Sequence, residues 1–130
     1  MRAPDLDEDG WCLASAADYH ALDAETFEIP DEQTRSSLKP GDFAKLIFLI
    51  AVEEDEEPIT DRMWVVVREA AQGGGYFGLL DNEPDIDEND EFWLGTELPF
   101  GPEHVIEVQA GNAESRDYAA REPLRAWPRG

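Results

Sequence analysis

The sequence predicts an α+β fold: N-terminal helices followed by a small, strongly curled antiparallel sheet of about five strands. Three observations carry this expectation. An alanine-rich stretch free of glycine and proline, Ala14–Glu25, lies near the start. Apolar runs of strand length fill Phe43 to Val108. Glycine, proline or a block of acids separates each run from the next, as turns between antiparallel neighbours do. With 130 residues, 42% of them hydrophobic, the chain suits a single domain, 1–130, with one core.

Residues 1–10 are polar and acidic and read as a flexible arm leading into Trp11. Residues 11–42 form the helical N-terminal part. Within Ala14–Glu25, Ser15 and Asp18 make a capping pair, and Tyr19 and Leu22 share one helix face. A second short helix is expected over DEQTRSSL, with Pro30 at its start and acids in its first turn. The KPGD turn then opens the sheet or barrel region, 43–108.

FAKLIFLIAV, Phe43–Val52, is the best strand, and Lys45 marks a solvent-facing position in its first half. The run EEDEEP must be a loop. RMWVVVREA is the second strand, Gly73–Gly75 the return, and YFGLLD the third. Asn82–Glu91 reads as loop, Leu94–Phe100 as a short fourth strand, and Val105, Ile106 and Val108 as the apolar residues of a fifth. The tail, 109–130, is expected to be extended, with at most a helical turn over Asp117–Glu122 before Pro123 and Pro128. Closing so many short strands on one another would remove exposed edges. The ending PEHVIEV resembles the close of an SH3-like barrel.

Charge dominates the composition: 31 Asp and Glu against 10 Lys and Arg, a net charge of −21. That balance argues against nucleic acid and anionic membranes as partners, since both are met with basic residues. It favours a basic protein partner, drawn in at long range. The competing reading is that charge serves solubility alone. One cysteine, Cys12, allows no internal disulfide, and the acidic start has no signal-peptide pattern, so cytoplasmic residence is the expectation.

Four motifs in order, IPDEQTRSSLKPGDFAKLIF, DRMWVVV, GYFGLLDNEP and LGTELPFGPEHVIEV, resemble a family of small bacterial proteins catalogued as a domain of unknown function. The resemblance spans Phe27 to Val108. It implies a compact domain and transfers no catalytic residue. Related families of small acidic proteins include immunity proteins of toxin systems.

Seven carboxylates between Asp81 and Glu91 suggest calcium first, but neither register places glycine sixth and glutamate twelfth. A looser divalent site on Asp81, Glu83, Asp85 and Asp87 is the less favoured reading. Cys12, His20 and His104 lack the spacing of a zinc site, and no cofactor motif occurs. His20 reads as a boundary residue and Cys12 as a small buried hydrophobe. His104, beside Glu103, reads first as a ring bonded across its turn and second as an acid–base catalyst.

Two functions follow. The first is a non-enzymatic acidic interaction module, including an immunity-type inhibitor that covers a basic nuclease surface. Its contact residues would be Glu53, Glu54, Asp55, Glu56 and Glu57 with Asp85, Asp87, Glu88, Asp90 and Glu91, and Phe92 and Trp93 as aromatic anchors. The second is a small hydrolase, metal-assisted or using His104 and Glu103 as its catalytic pair. A domain whose charge serves only solubility stands beneath both.

Overall fold

The computed structural model describes residues 4–18, 29–51, 57–71, 74–81, 95–123 and 126–127. A one-turn helix α1 (Leu6–Asp9) leads into β1 (Trp11–Leu13). A second short helix α2 (Glu32–Arg35) precedes β2 (Phe43–Ile50), β3 (Ile59–Ala70), β4 (Tyr76–Leu80) and β5 (Glu97–Phe100). A 3-10 turn, Pro102–His104, then enters β6 (Val105–Gln109), and helix α3 (Ala113–Ala120) follows.

All strand pairings are antiparallel and run β1-β2-β3-β4-β5. β6 does not continue beside β5; it returns to β2, pairing Phe43 with Gln109 and Leu46 with Val105. β1 occupies the far half of the same β2 edge, Trp11 opposite Ile50 and Leu13 opposite Phe48. Four residues, Gly101 to His104, therefore carry the chain from one side of the sheet to the other. So short a link reaches only because the sheet is curled into a half-barrel.

Alternation decides what fills the curl. Ala44, Leu46, Phe48 and Ile50 of β2 point inward with Met63, Val65 and Val67 of β3, joined by Trp11, Phe77, Leu80, Leu98, Phe100, Val105 and Trp127. The other face of β2 carries Ile47 and Leu49, which Ala14, Ala16, Ile29 and Ile106 cover in a second, smaller cluster. The outer face of β3 is partly roofed by α3.

Side chains pin the crossing segments. The Tyr76 hydroxyl donates to the Arg35 carbonyl (2.8 Å) and accepts from the Leu38 N–H (3.2 Å). Arg35 donates through Nε to the Pro30 carbonyl and through Nη1 to the Pro102 carbonyl, tying α2 to the turn before β6. Asp31 caps α2 by accepting from the Thr34 N–H (2.7 Å). At the base of β2, Gly41 adopts φ 95°, and Asp42 accepts from the Lys39 and Gly111 N–H groups. Gly111 lies so close to the Gly41 carbonyl that a β-carbon would collide with it.

Several expectations are corrected. Helices are not confined to the N-terminal part: α3, eight residues long, lies near the C-terminus. It begins at Asn112, earlier than the expected turn at Asp117. Asn112 Oδ1 accepts from the Ser115 N–H (2.9 Å) while Ser115 Oγ accepts from the Asn112 N–H (2.8 Å). The tail is not simply extended either, since Trp127 returns to the core. A sixth strand, β1, joins the five; three residues are too few for alternation to reveal. The acidic arm contains a helical turn in which the Asp5 N–H donates to Asp9 Oδ2. β3 starts at Ile59, three residues before the expected Arg62. Of the expected helix Ala14–Glu25, residues 16–18 are helical and Ser15 Oγ accepts from the Asp18 N–H. Tyr19, His20 and Leu22 lie outside the described residues.

Candidate functional site

Strand direction determines where the acidic segments attach. Because neighbours are antiparallel, the end of β2 that holds Ile50 also holds the start of β1 and the start of β3, Ile50 facing both Trp11 and Ile59. The end of β4 and the start of β5 do not reach that end: Leu80 pairs with Val65, which faces Ala44 near the start of β2, and Leu79 faces Glu97. The α1 acids and the Glu53–Glu57 run are thus joined to one end of the sheet, whereas the Asp81–Glu91 run leaves it near the start of β2. Leu80 pairs with Val65, six residues along β3 from Ile59, so the two loop attachments stand roughly 20 Å apart along the strand. Four basic residues stand toward the opposite end, among the acids Asp42, Glu69, Asp81 and Glu114. Lys39 precedes β2, Arg35 reaches the Pro102 carbonyl, Arg116 lies over Gly41, and Arg68 sits near the close of β3.

Most of the expected partner-binding residues, Glu53–Glu56, Asp85, Asp87, Glu88, Asp90, Glu91, Phe92 and Trp93, lie outside the described residues. So do Glu83, Asp85 and Asp87 of the expected metal set. Glu57 is exposed beside the start of β3. Asp81 is half-buried at the end of β4, and burial pushes its carboxyl above the ordinary range. Among the described residues, no three His, Cys, Asp or Glu stand close enough to hold a metal ion.

His104 lies in the 3-10 turn with its Nδ1 accepting from the Gly101 N–H (2.9 Å). The neutral ring therefore carries its proton on Nε2, which is 3.7 Å from Glu103 Oε1. Burial lowers the His104 pKa, outweighing the opposite pull of Glu103. Protonation at Nδ1 would break the bond that closes the turn. Since the unfolded chain takes up the proton first, the stability from this neutral ring is present above about pH 6.5 and is lost as pH falls through that value toward the lower folded pKa. The 31 carboxylates oppose this trend, because their mutual repulsion relaxes in acid. The difference between wild type and His104→Gln isolates the ring: urea midpoints should diverge most above about pH 6.5 and draw together as pH falls below it. A pH-independent difference would contradict the assignment.

Two polar arrangements escaped the sequence reading. Glu97, at the start of β5, has a fully buried side chain. Its Oε2 accepts from Arg68 Nη1 (3.0 Å) and its Oε1 from the Trp127 backbone N–H (3.0 Å), while Arg68 Nε donates to the Arg121 carbonyl at 3.4 Å. A β-bulge between Val67 and Glu69 sets Arg68 out of the regular register. The second arrangement is a cleft of about 230 Å³ between α3 and the outer sheet face. Phe43, Val66, Asp81, Asn112, Glu114 and Tyr118 line it. The Tyr118 hydroxyl donates to the Leu80 carbonyl (2.7 Å), and burial, then Asp81, pushes its pKa up to about 12, so it remains a donor. The asparagine cap of α3 was the one available sequence signal for this cleft.

Cys12 is half-buried opposite Leu49, and its thiol pKa is raised by burial and by Asp5, which disfavours a nucleophilic thiolate. No helix among the described residues is long and apolar enough to cross a membrane. The chain matches no protein-family model, no curated protein and no solved structure.

Proposed function

We propose that this chain is a non-catalytic acidic interaction module that binds a basic protein through its acidic segments. The observation that carries the reading is the attachment of two acidic segments, α1 and the Glu53–Glu57 run, to one end of the strands, with a third, Asp81–Glu91, leaving the sheet beside the cleft under α3. Dense negative charge of this kind attracts a cationic partner during approach and repels acidic ones. An immunity-type inhibitor covering a basic nuclease surface is the specific form that this chemistry suits. The strand order supports reading β2 to β6 as an SH3-like barrel: successive antiparallel neighbours, a 3-10 turn, and the last strand on the first. The likeness of Phe27–Val108 to small bacterial domains belongs to the same proposal.

The test is capture of partners at low and high salt, followed by reconstitution with the purified candidate. Wild type is then compared with a variant carrying Asp85→Asn, Asp87→Asn and Asp90→Asn. The expected result is a basic partner whose affinity falls with salt, with the variant binding at least about tenfold more weakly and with a flatter salt dependence. Equal affinity and equal salt dependence for the two proteins would overturn the role of that segment.

A further inference from the structure

The cleft beneath α3 has a size and lining that suit one kind of occupant. Its volume, about 230 Å³, falls below the usual 300–1,000 Å³ of pockets for drug-sized molecules and cofactors, so it accommodates something nearer one amino-acid side chain. One wall is apolar: Phe43 at the start of β2 and Val66 on the outer face of β3. The Phe43 ring is held edge-on against Trp64 (6.4 Å, 87°), and Lys45 lies over the other partner of that pair, 5.5 Å from the Trp64 ring. The remaining lining is polar and carries two acids, Asp81 from the sheet and Glu114 from the first turn of α3.

An anion is disfavoured here. The Ser115 and Arg116 N–H groups are both taken by Asn112, and Glu114 offsets the positive end of the short helix. A purely apolar guest would desolvate the half-buried Asp81 further without giving it a partner, and would leave the exposed Glu114 at the rim unused. A cation on an apolar stem satisfies both walls: the stem lies along Phe43 and Val66, and the charged head meets the acids.

We propose that this cleft receives a single lysine or arginine side chain presented by the basic partner. The inference deepens the function proposed above and rests on it, adding a defined recognition pocket to long-range attraction. Asp81 already bears a desolvation cost in the free protein, so an arriving cation relieves it. The Tyr118 hydroxyl, engaged with the Leu80 carbonyl, keeps the rim of the cleft in place.

The experiment is an NMR titration of the full chain with Nα-acetyl-lysine amide and Nα-acetyl-arginine amide, against Nα-acetyl-norleucine amide and spermidine. Saturable shifts at Phe43, Val66, Ser115 and Tyr118 are expected with at least one cationic amide. Norleucine amide should bind at least about tenfold more weakly, as should the cationic amide to a variant carrying Asp81→Asn and Glu114→Gln. Shifts that do not saturate, norleucine binding of equal strength, or an unaffected variant would each overturn the pocket. Tighter cleft binding by spermidine than by either amide would overturn a partner side chain as its source. The amides report on the cleft with no protein partner present, so the titration can succeed or fail independently of the partner-capture test.

Discussion

Replacing Glu97 with alanine lowers the free energy of unfolding by about 3 kcal/mol, the scale of a broken buried ion pair. The loss does not come from the ion pair as such, because a buried pair barely repays the desolvation of its charges. It comes from what the variant leaves behind. Arg68, its side chain only 23% exposed, would keep its charge with only the more exposed Glu69 carboxylate at 3.6 Å, and the Trp127 N–H would lose the Glu97 oxygen it donates to. Glu97→Gln retains an oxygen for one of these donors and should cost less. A double variant, Glu97→Leu with Arg68→Leu, should cost less than the sum of the two single changes, since neither partner is left stranded. Urea unfolding with an unchanged slope on denaturant measures each of these variants against wild type. A loss below about 1 kcal/mol for Glu97→Ala would show that the carboxylate does not hold this corner together.

The second large effect belongs to Trp127. Only 7% exposed, it packs edge-on against Trp11 (5.7 Å, 68°), which in turn contacts Phe48 (5.8 Å). Residues near the two termini thus meet within one core, and the tail acts as a structural element of the half-barrel. Trp127→Ala should destabilise by about 3–5 kcal/mol, the usual range for emptying an aromatic core position. Trp64→Ala, removing a half-buried ring from the outer face, should cost clearly less. Near-ultraviolet circular dichroism should show the loss of a packed indole in Trp127→Ala, and urea midpoints should rank the two variants. A Trp127→Ala protein as stable as wild type would mean that the tail is not docked. Trp127→Ala keeps the backbone N–H that donates to Glu97, so the two effects fall short of their sum only if loss of the ring also draws the tail away from Glu97.

Both predictions fall on residues that the sequence left inconspicuous, and the reason is physical. Strand alternation exposes Met63, Val65 and Val67 as inward residues of β3, and the same logic serves β2. Nothing local distinguishes Glu97 from the other acids of the chain. Its burial depends on a bulge at Arg68, one strand beyond its neighbour β4, and on a tail residue thirty positions later. Trp127 stands between prolines in a polar segment, so its local context suggests a loose tail. The cleft has the same origin, combining residues of β2, β3, the end of β4 and α3. His104 was more legible, because its bond partner Gly101 lies in the same turn.

By itself, the sequence determined the α+β class, the positions of β2 to β6 to within a few residues, the turns between them and the excess of negative charge. These depend on local properties: side-chain period, backbone freedom at glycine and proline, and composition. The tertiary structure alone decided that β6 returns to β2, that Glu97 is buried against Arg68, that Trp127 completes the core, and that α3 roofs a cleft on the sheet. Each of these joins residues far apart in the chain, and such contacts form only where curvature and packing bring distant segments together.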